Sequence, residues 1–200
     1  MGLQIGKQVI QTEIQALNLL LEGLGDSFES AVETLKSCKG KIVVTGVGKS
    51  GIIGQKIAAT LSSTGSPAVF MHASEAVHGD LGLVTEEDVS IIISYSGETA
   101  EALNVVQPMK ERGITIIAMT GRPESTLAGE SDIHLDISVR READPLNLAP
   151  TSSTTAMLVL GDALAITLSV EREFTRENFY RFHPGGNLGK ELKSEVGGVK

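Results

Sequence analysis

Two hundred residues, 41% of them hydrophobic, suit one well-buried domain. A formal net charge of -8, aromatics at 4% and no Trp argue against a broad nucleic-acid footprint and against base stacking as the main activity. Cys38 is the only cysteine, which excludes an intramolecular disulfide or cysteine-cluster metal site; with no signal-like apolar core near Met1 and no apolar run read as bilayer-spanning, a soluble cytoplasmic protein without membrane or nucleic-acid partners is expected.

Along the chain, Val9, Ile10, Ile14, Leu17, Leu20, Leu21 and Leu24 recur at helical spacing and predict an amphipathic helix over 9–24. Asp26 and Ser27 are cap candidates for a second helix, Phe28 to Cys38, with Phe28, Ala31, Val32 and Leu35 on its apolar face. An apolar face left over on this hairpin serves either the sheet or another subunit. Strands are predicted at 41–45, 67–71, 89–94, 114–119 and 133–137, alternating with helical or loop segments that include helices at 52–62 and 100–112. A long helix is expected from Thr151 to about Arg172, and a short one near Asn178. Near-continuous apolar strands with intervening helices give an α/β fold: a doubly wound, five-stranded parallel sheet of flavodoxin-like type with an N-terminal helical hairpin. The expected division is a hairpin at 1–40, the sheet domain at 41–192 and a tail at 193–200.

Ligands of such sheets bind beyond the carboxyl ends of the strands, and the polar residues gather at those ends. Ser94-Tyr95-Ser96-Gly97-Glu98-Thr99 follows the third strand and opens a helix. Free N–H groups and three hydroxyls read as a phosphate cradle in which Gly97 admits the anion; an ordinary capped turn is the competing reading. Gly46-Val47-Gly48-Lys49-Ser50-Gly51 fits G-x-G-x-x-G, but the second strand ends at Met71-His72 without the acidic residue that would grip a ribose. Val43 stands where a P-loop needs glycine. Lys49 suits a smaller task, neutralising a phosphate or an enediolate, against the alternative of a solvated helix-start lysine. His78 lies beyond the second strand as a proton-transfer candidate or a structural neighbour of Asp80. Of Glu98 and Glu101, one needs to face the crevice. Thr151-Ser152-Ser153-Thr154-Thr155 offers more hydroxyls than a cap requires, so part of it is a second ligand-facing candidate.

Together these runs resemble the sugar isomerase (SIS) domain, and within it the D-arabinose 5-phosphate isomerase (KdsD/KpsF) family. The matching runs are Gly46 to Gly51, Ala76 to Gly82, Ser94 to Thr99, Thr120 to Ser125, Leu148 to Thr155 and His183 to Gly186. The resemblance implies interconversion of D-ribulose 5-phosphate and D-arabinose 5-phosphate, on the route to Kdo and lipopolysaccharide, with no cofactor. By position it implies Lys49, Glu101, Glu142, His183 and His78 as catalytic residues. Ser94, Ser96, Gly97, Thr99, Gly48, Ser50, Gly65, Ser66 and Ser152 are implied as substrate or phosphate contacts, and His72 as a non-essential zinc contact. It further implies a homotetramer with sites between subunits. The paired regulatory (CBS) domains usual after this domain are expected to be absent, so feedback by Kdo or its activated form would act near the crevice. Asp144 stands where the family usually has cysteine. The competing functions are an isomerase of another sugar phosphate and a non-catalytic sugar-phosphate sensor.

Overall fold

Runs of apolar, β-branched residues favour strands buried on both faces. Five of them form one parallel sheet in the order β2-β1-β3-β4-β5: β1 (Ile42–Gly46), β2 (Ala68–His72), β3 (Val89–Ile93), β4 (Thr115–Thr120) and β5 (Ile133–Asp136). This computed structural model describes residues 1–184. The glycines after His183-Pro184, the expected boundary at Leu192 and the tail 193–200 lie outside the described residues.

Alternation along the central strand sorts the helices into two layers. Ile91 and Ile93 point to one face, where they join α1 (Gly2–Gly23), α2 (Asp26–Ser37), α3 (Gly48–Ser63) and α8 (Ser152–Glu171) through Leu20, Leu35, Ile57 and Leu164. Ile92 points to the other, against α4 (Ala73–Ala76), α5 (Ala100–Asn104), α6 (Val106–Lys110) and α7 (Thr126–Glu130) through Ala76, Ala102, Met109 and Leu127. All three isoleucines are fully buried, each contributing roughly 1.5–3 kcal/mol of transfer free energy. The strand order reverses between β1 and β3, which fixes the ligand crevice at their carboxyl ends. The expected fold class is the one observed.

Several expectations change: α2 begins at Asp26 with Gly25 as its cap, so neither Asp26 nor Ser27 caps it, and α3 begins at Gly48 rather than Ile52. The helix expected over 100–112 divides at Val105 into α5 and α6, because Pro108 lacks the N–H that would reach Asn104 and its ring crowds that carbonyl. The first helix begins at Gly2 rather than Val9 and buries only Ala16 and Leu20, leaving Leu3, Ile10, Ile14 and Leu21 exposed. Although no bilayer-length apolar run was expected, α8 has the length and apolar composition of one. It is a core helix packed against α1, α2 and α3, with Leu160, Leu164 and Leu168 buried.

Candidate active site

Two helix starts and one turn meet at the carboxyl edge of the sheet. An alanine Cβ at Gly161 of α8 would lie 2.4 Å from Ile57 Cγ1 of α3, so the Ile57 side chain packs directly on the α8 backbone there. Lys56 pairs with Asp162, and Arg172 after α8 donates to the Gly65 carbonyl after α3, so the two run parallel. Ile57 and Gly161 stand equally far into their helices, which puts the starts, Gly48 and Ser152, level. Gly48 and Lys49 are exposed there and Ser50 is half-buried.

The cradle turn is built largely from its own hydroxyls. Ser94, 3% exposed, accepts the Gly97 N–H at its Oγ (3.2 Å) and shares a hydrogen bond with Thr99 Oγ1 (2.9 Å). Ser96 Oγ accepts the Glu98 N–H at 3.2 Å. Since the Ser94–Thr99 pair uses one of its two protons, the free O–H of that pair and that of Ser96 remain for an anion. Gly97 has φ +66°, and a Cβ there would sit 2.0 Å from Ser125 Oγ; only glycine fits. The choice between the two acidic residues resolves physically. Glu98 Oε1 accepts the Thr126 N–H at 2.7 Å, a bond that lowers its pKa, so it points at α7. Glu101, in the first turn of α5, is exposed and has no hydrogen bond or ion pair among the described residues.

Glu142 is the buried acid of the site, 9% exposed. Its Oε2 accepts from Thr151 N (2.8 Å), Thr151 Oγ1 (3.1 Å) and Ser153 N (3.1 Å), the unpaired donors at the start of α8. Burial alone would raise its pKa; hydrogen bonds from the Ser153 side chain and backbone and from Thr151 more than offset it, so the net shift is downward. Tyr95 ties this segment to the cradle, its hydroxyl accepting the Val139 N–H at 3.3 Å. Asp144 turns its Oδ2 to the N–H groups of Leu148 and Ala149, both at 3.0 Å, and these bonds hold its carboxyl below the usual range. The residue that departs from the resembled pattern thus staples its own loop.

Lys49, Glu101, Glu142 and His78 therefore share the carboxyl edge with Ser94, Ser96, Gly97, Thr99, Gly48 and Ser50; His78 is exposed beyond α4, which packs on α5. Ser152 is at this edge too but fully enclosed, its Oγ without a partner, so it is not open to a ligand. Thr155 is likewise turned away, to Glu13 of α1 at 3.1 Å. Three expected site residues lie at the opposite edge within the chain. Gly65 and Ser66 come after α3, whose 16 residues span about 24 Å from Gly48. Gly65, at φ +99°, is covered by Phe174, and Ser66 is fully buried. His183 ends α9 (Arg176–Phe182), stacked on Phe179 at 3.9 Å, while the adjacent Phe182 touches Phe174 at 5.6 Å. One chain does not bring these three to Ser94. His72 ends β2 with its Nδ1 buried and unpartnered, and no group of three metal-binding side chains occurs among the described residues.

Sequence reasoning missed Tyr95, Asn147 and Thr151 as supports of Glu142. Asn147 has φ +55° and its Oδ1 accepts the Glu142 N–H at 2.7 Å. Asparagine's tolerance of left-handed backbone was the available signal.

Known proteins share this architecture. The SIS domain family profile matches residues 34–167. The chain is similar to the arabinose 5-phosphate isomerase KdsD of Pseudomonas aeruginosa, 53% identical over 95% of this chain and 58% of the relative. It is also similar to the arabinose 5-phosphate isomerase KdsD of Escherichia coli K12, 50% identical over 98% of this chain and 60% of the relative. The chain thus spans about three fifths of the length of these curated relatives. A solved Escherichia coli CFT073 protein in complex with arabinose 5-phosphate superimposes with a TM-score of 0.89 at 45% identity, covering 91% of this chain and 97% of that one.

Proposed function

The chain belongs to the SIS domain family, and from that premise we propose that it interconverts D-ribulose 5-phosphate and D-arabinose 5-phosphate through an enediol. The observation that carries the reading is the buried carboxylate Glu142, fixed at the start of α8 and tied through Tyr95 to the Ser94–Thr99 turn. Relatives named arabinose 5-phosphate isomerase and a neighbour solved with arabinose 5-phosphate support the choice of sugar.

Isomerisation moves a proton between C1 and C2 while the carbonyl oxygen takes up charge. In this reading the phosphate sits on Ser96, Thr99 and the backbone around Gly97, with Gly48 and Ser50 beside it. Glu142 takes a proton from C1 of the ketose, the enediolate forms, the proton on Glu142 exchanges with solvent, and Glu142 delivers a proton to C2 while the O1 proton passes to O2 and the carbonyl to C1. Because Glu142 is held ionised, its affinity for that proton is low, and transfer depends on stabilising the oxyanion. Lys49 supplies the opposite charge. Glu101 is the second acid/base group, and His78 serves hydroxyl protons and ring opening. A redox cofactor has no part in the proton shift, and His72 is a non-essential zinc contact at most.

His183 enters from a neighbouring subunit of a homotetramer, with Gly65 on the same edge; Ser66, fully enclosed within its own chain, supports that edge from beneath and does not itself meet the ligand. The packing of Gly65 and Phe182 against Phe174, with His183 next to Phe182 in the chain, and the uncovered apolar stripe of α1 favour an assembly. A cytoplasmic place on the route to Kdo and lipopolysaccharide completes the proposal. Incubating the protein with D-ribulose 5-phosphate and identifying the product by NMR tests it. D-arabinose 5-phosphate is expected; a different aldose would change the substrate, and no turnover would favour a sensor.

A further inference from the structure

We propose that Thr151 and Asn147 are positioning residues that fix the orientation and ionisation of the Glu142 carboxylate. The proposal rests on the reading of Glu142 as the base, and concerns how that base is held.

A threonine at a helix start ordinarily turns its oxygen back to a backbone N–H of its own first turn. Thr151 makes no such bond. Its Oγ1 instead accepts the Ala143 N–H at 2.8 Å and donates its one proton to Glu142 Oε2 at 3.1 Å. The capping role passes to Glu142, whose Oε2 receives the Thr151 and Ser153 N–H groups. From the other side Asn147 accepts the Glu142 N–H at its Oδ1, at 2.7 Å, and its own N–H donates to the Asp144 carbonyl at 2.9 Å. The left-handed backbone of Asn147, φ +55°, aims its side chain back along the loop. Backbone and carboxylate of one residue are thus each fixed, by two side chains that follow it in the chain by five and nine residues.

Capping alone does not require this arrangement, because the Thr151 hydroxyl could cap α8 without burying a charge. The bonds from Thr151 and from the Ser153 N–H all fall on Oε2, and the Ser153 hydroxyl is a further donor to the same carboxylate. The ionisable neighbours are few. Tyr95 faces Glu142 from the cradle, and Arg141 donates from Nε to the Glu142 carbonyl. Asp144 is committed to Leu148 and Ala149, and Glu13 of α1 meets Thr155 one turn along α8. Removing the Thr151 hydroxyl therefore takes a charge-stabilising donor from Glu142, and among the described residues no cation is bonded to its carboxylate to replace it.

Three variants test this. Thr151→Val keeps the shape and deletes the hydroxyl, Thr151→Ser keeps the hydroxyl, and Asn147→Gly keeps the left-handed backbone while deleting the acceptor. Thr151→Val and Asn147→Gly should lower kcat by about tenfold to a hundredfold with KM within roughly threefold, since a misplaced base costs rate rather than binding. Thr151→Ser should recover most of the rate. Carbon-13 NMR of the Glu142 carboxyl, titrated without substrate, should show its midpoint rising in Thr151→Val and returning in Thr151→Ser. Retained kcat in folded Thr151→Val and Asn147→Gly, or an unmoved midpoint in Thr151→Val, would overturn the positioning proposal. Full turnover by Glu142→Gln would overturn the reading of the base instead, and the substrate-free titration separates the two failures.

Discussion

At Gly97 backbone conformation and packing impose the same residue. An alanine there would hold a left-handed φ of +66° and press its Cβ to 2.0 Å from Ser125 Oγ, which belongs to the cap of α7. Gly97→Ala should cost about 2 kcal/mol or more in urea unfolding, from the left-handed strain and the contact together. It should also weaken calorimetric binding of a five-carbon sugar phosphate by about tenfold; unchanged affinity and stability would remove Gly97 from both roles. The glycine was legible in the sequence because a hydroxyl-rich turn after a buried strand needs one; its clash with Ser125 was not, because the two come from different turns. Asp88 makes a separate residue-scale case away from the site. Its carboxylate accepts the Lys41 N–H and the Thr85 N–H, both at 2.8 Å, and the Lys41 ammonium at 2.6 Å. Burial raises its pKa, but these bonds overcome that and lower it. A carboxyl with lowered folded pKa stabilises above its unfolded value, near 3.9, and loses that contribution as pH falls through the folded value. Asp88→Asn should therefore cost about 1–3 kcal/mol at pH 7, with the difference from the parent shrinking below pH 4. A difference equal at pH 7 and pH 3 would refute the assignment.

Among the elements, α3 and α8 carry the site, since their parallel contact sets Gly48 and Ser152 level. Gly161→Ala weighs two opposed effects: alanine improves helix propensity by roughly 1 kcal/mol, whereas overpacking against buried Ile57 costs about 1–3 kcal/mol. Packing should win, because the added Cβ falls 2.4 Å from Ile57 Cγ1, and Ile57 is itself fully buried. A net loss of stability is expected, with turnover lowered as the helix starts part; a stabilised variant would contradict the contact. The existence and order of these elements could be read from hydrophobic periodicity and turn residues. Their limits obey local chemistry that periodicity does not see, as where Pro108 divides α5 from α6. The second hydroxyl run was noticed for its number, yet its members have separate partners. Thr151 holds Glu142, Thr155 meets Glu13 and Ser152 is enclosed. Which hydroxyl faces which partner depends on neighbours far along the chain.

For the molecule as a whole, the sheet edge explains which site residues meet and which do not. The resemblance implied Gly65, Ser66 and His183 as site residues of an assembly with sites between subunits, and motif order by itself carries no information about which edge a residue occupies. The strand-helix direction supplies it: residues just past the end of α3 or α8 lie about a helix length from those just before its start. The proposed assembly makes a distinct prediction. Mixing inactive His183→Ala with inactive Glu142→Gln, under conditions where subunits exchange, should restore part of the activity through hybrid sites; no recovery in verified hybrids would contradict a site shared between subunits. The same whole-molecule view makes Glu142 central, since the cradle, the start of α8 and the loop at 142–151 all fix it. The most direct test is isomerisation of D-ribulose 5-phosphate in deuterium oxide, with the product read by proton NMR. The parent protein should yield D-arabinose 5-phosphate carrying deuterium at C2, and Glu142→Gln should bind the sugar phosphate but give neither product nor label. Undiminished labelling by Glu142→Gln would show that another group moves the proton.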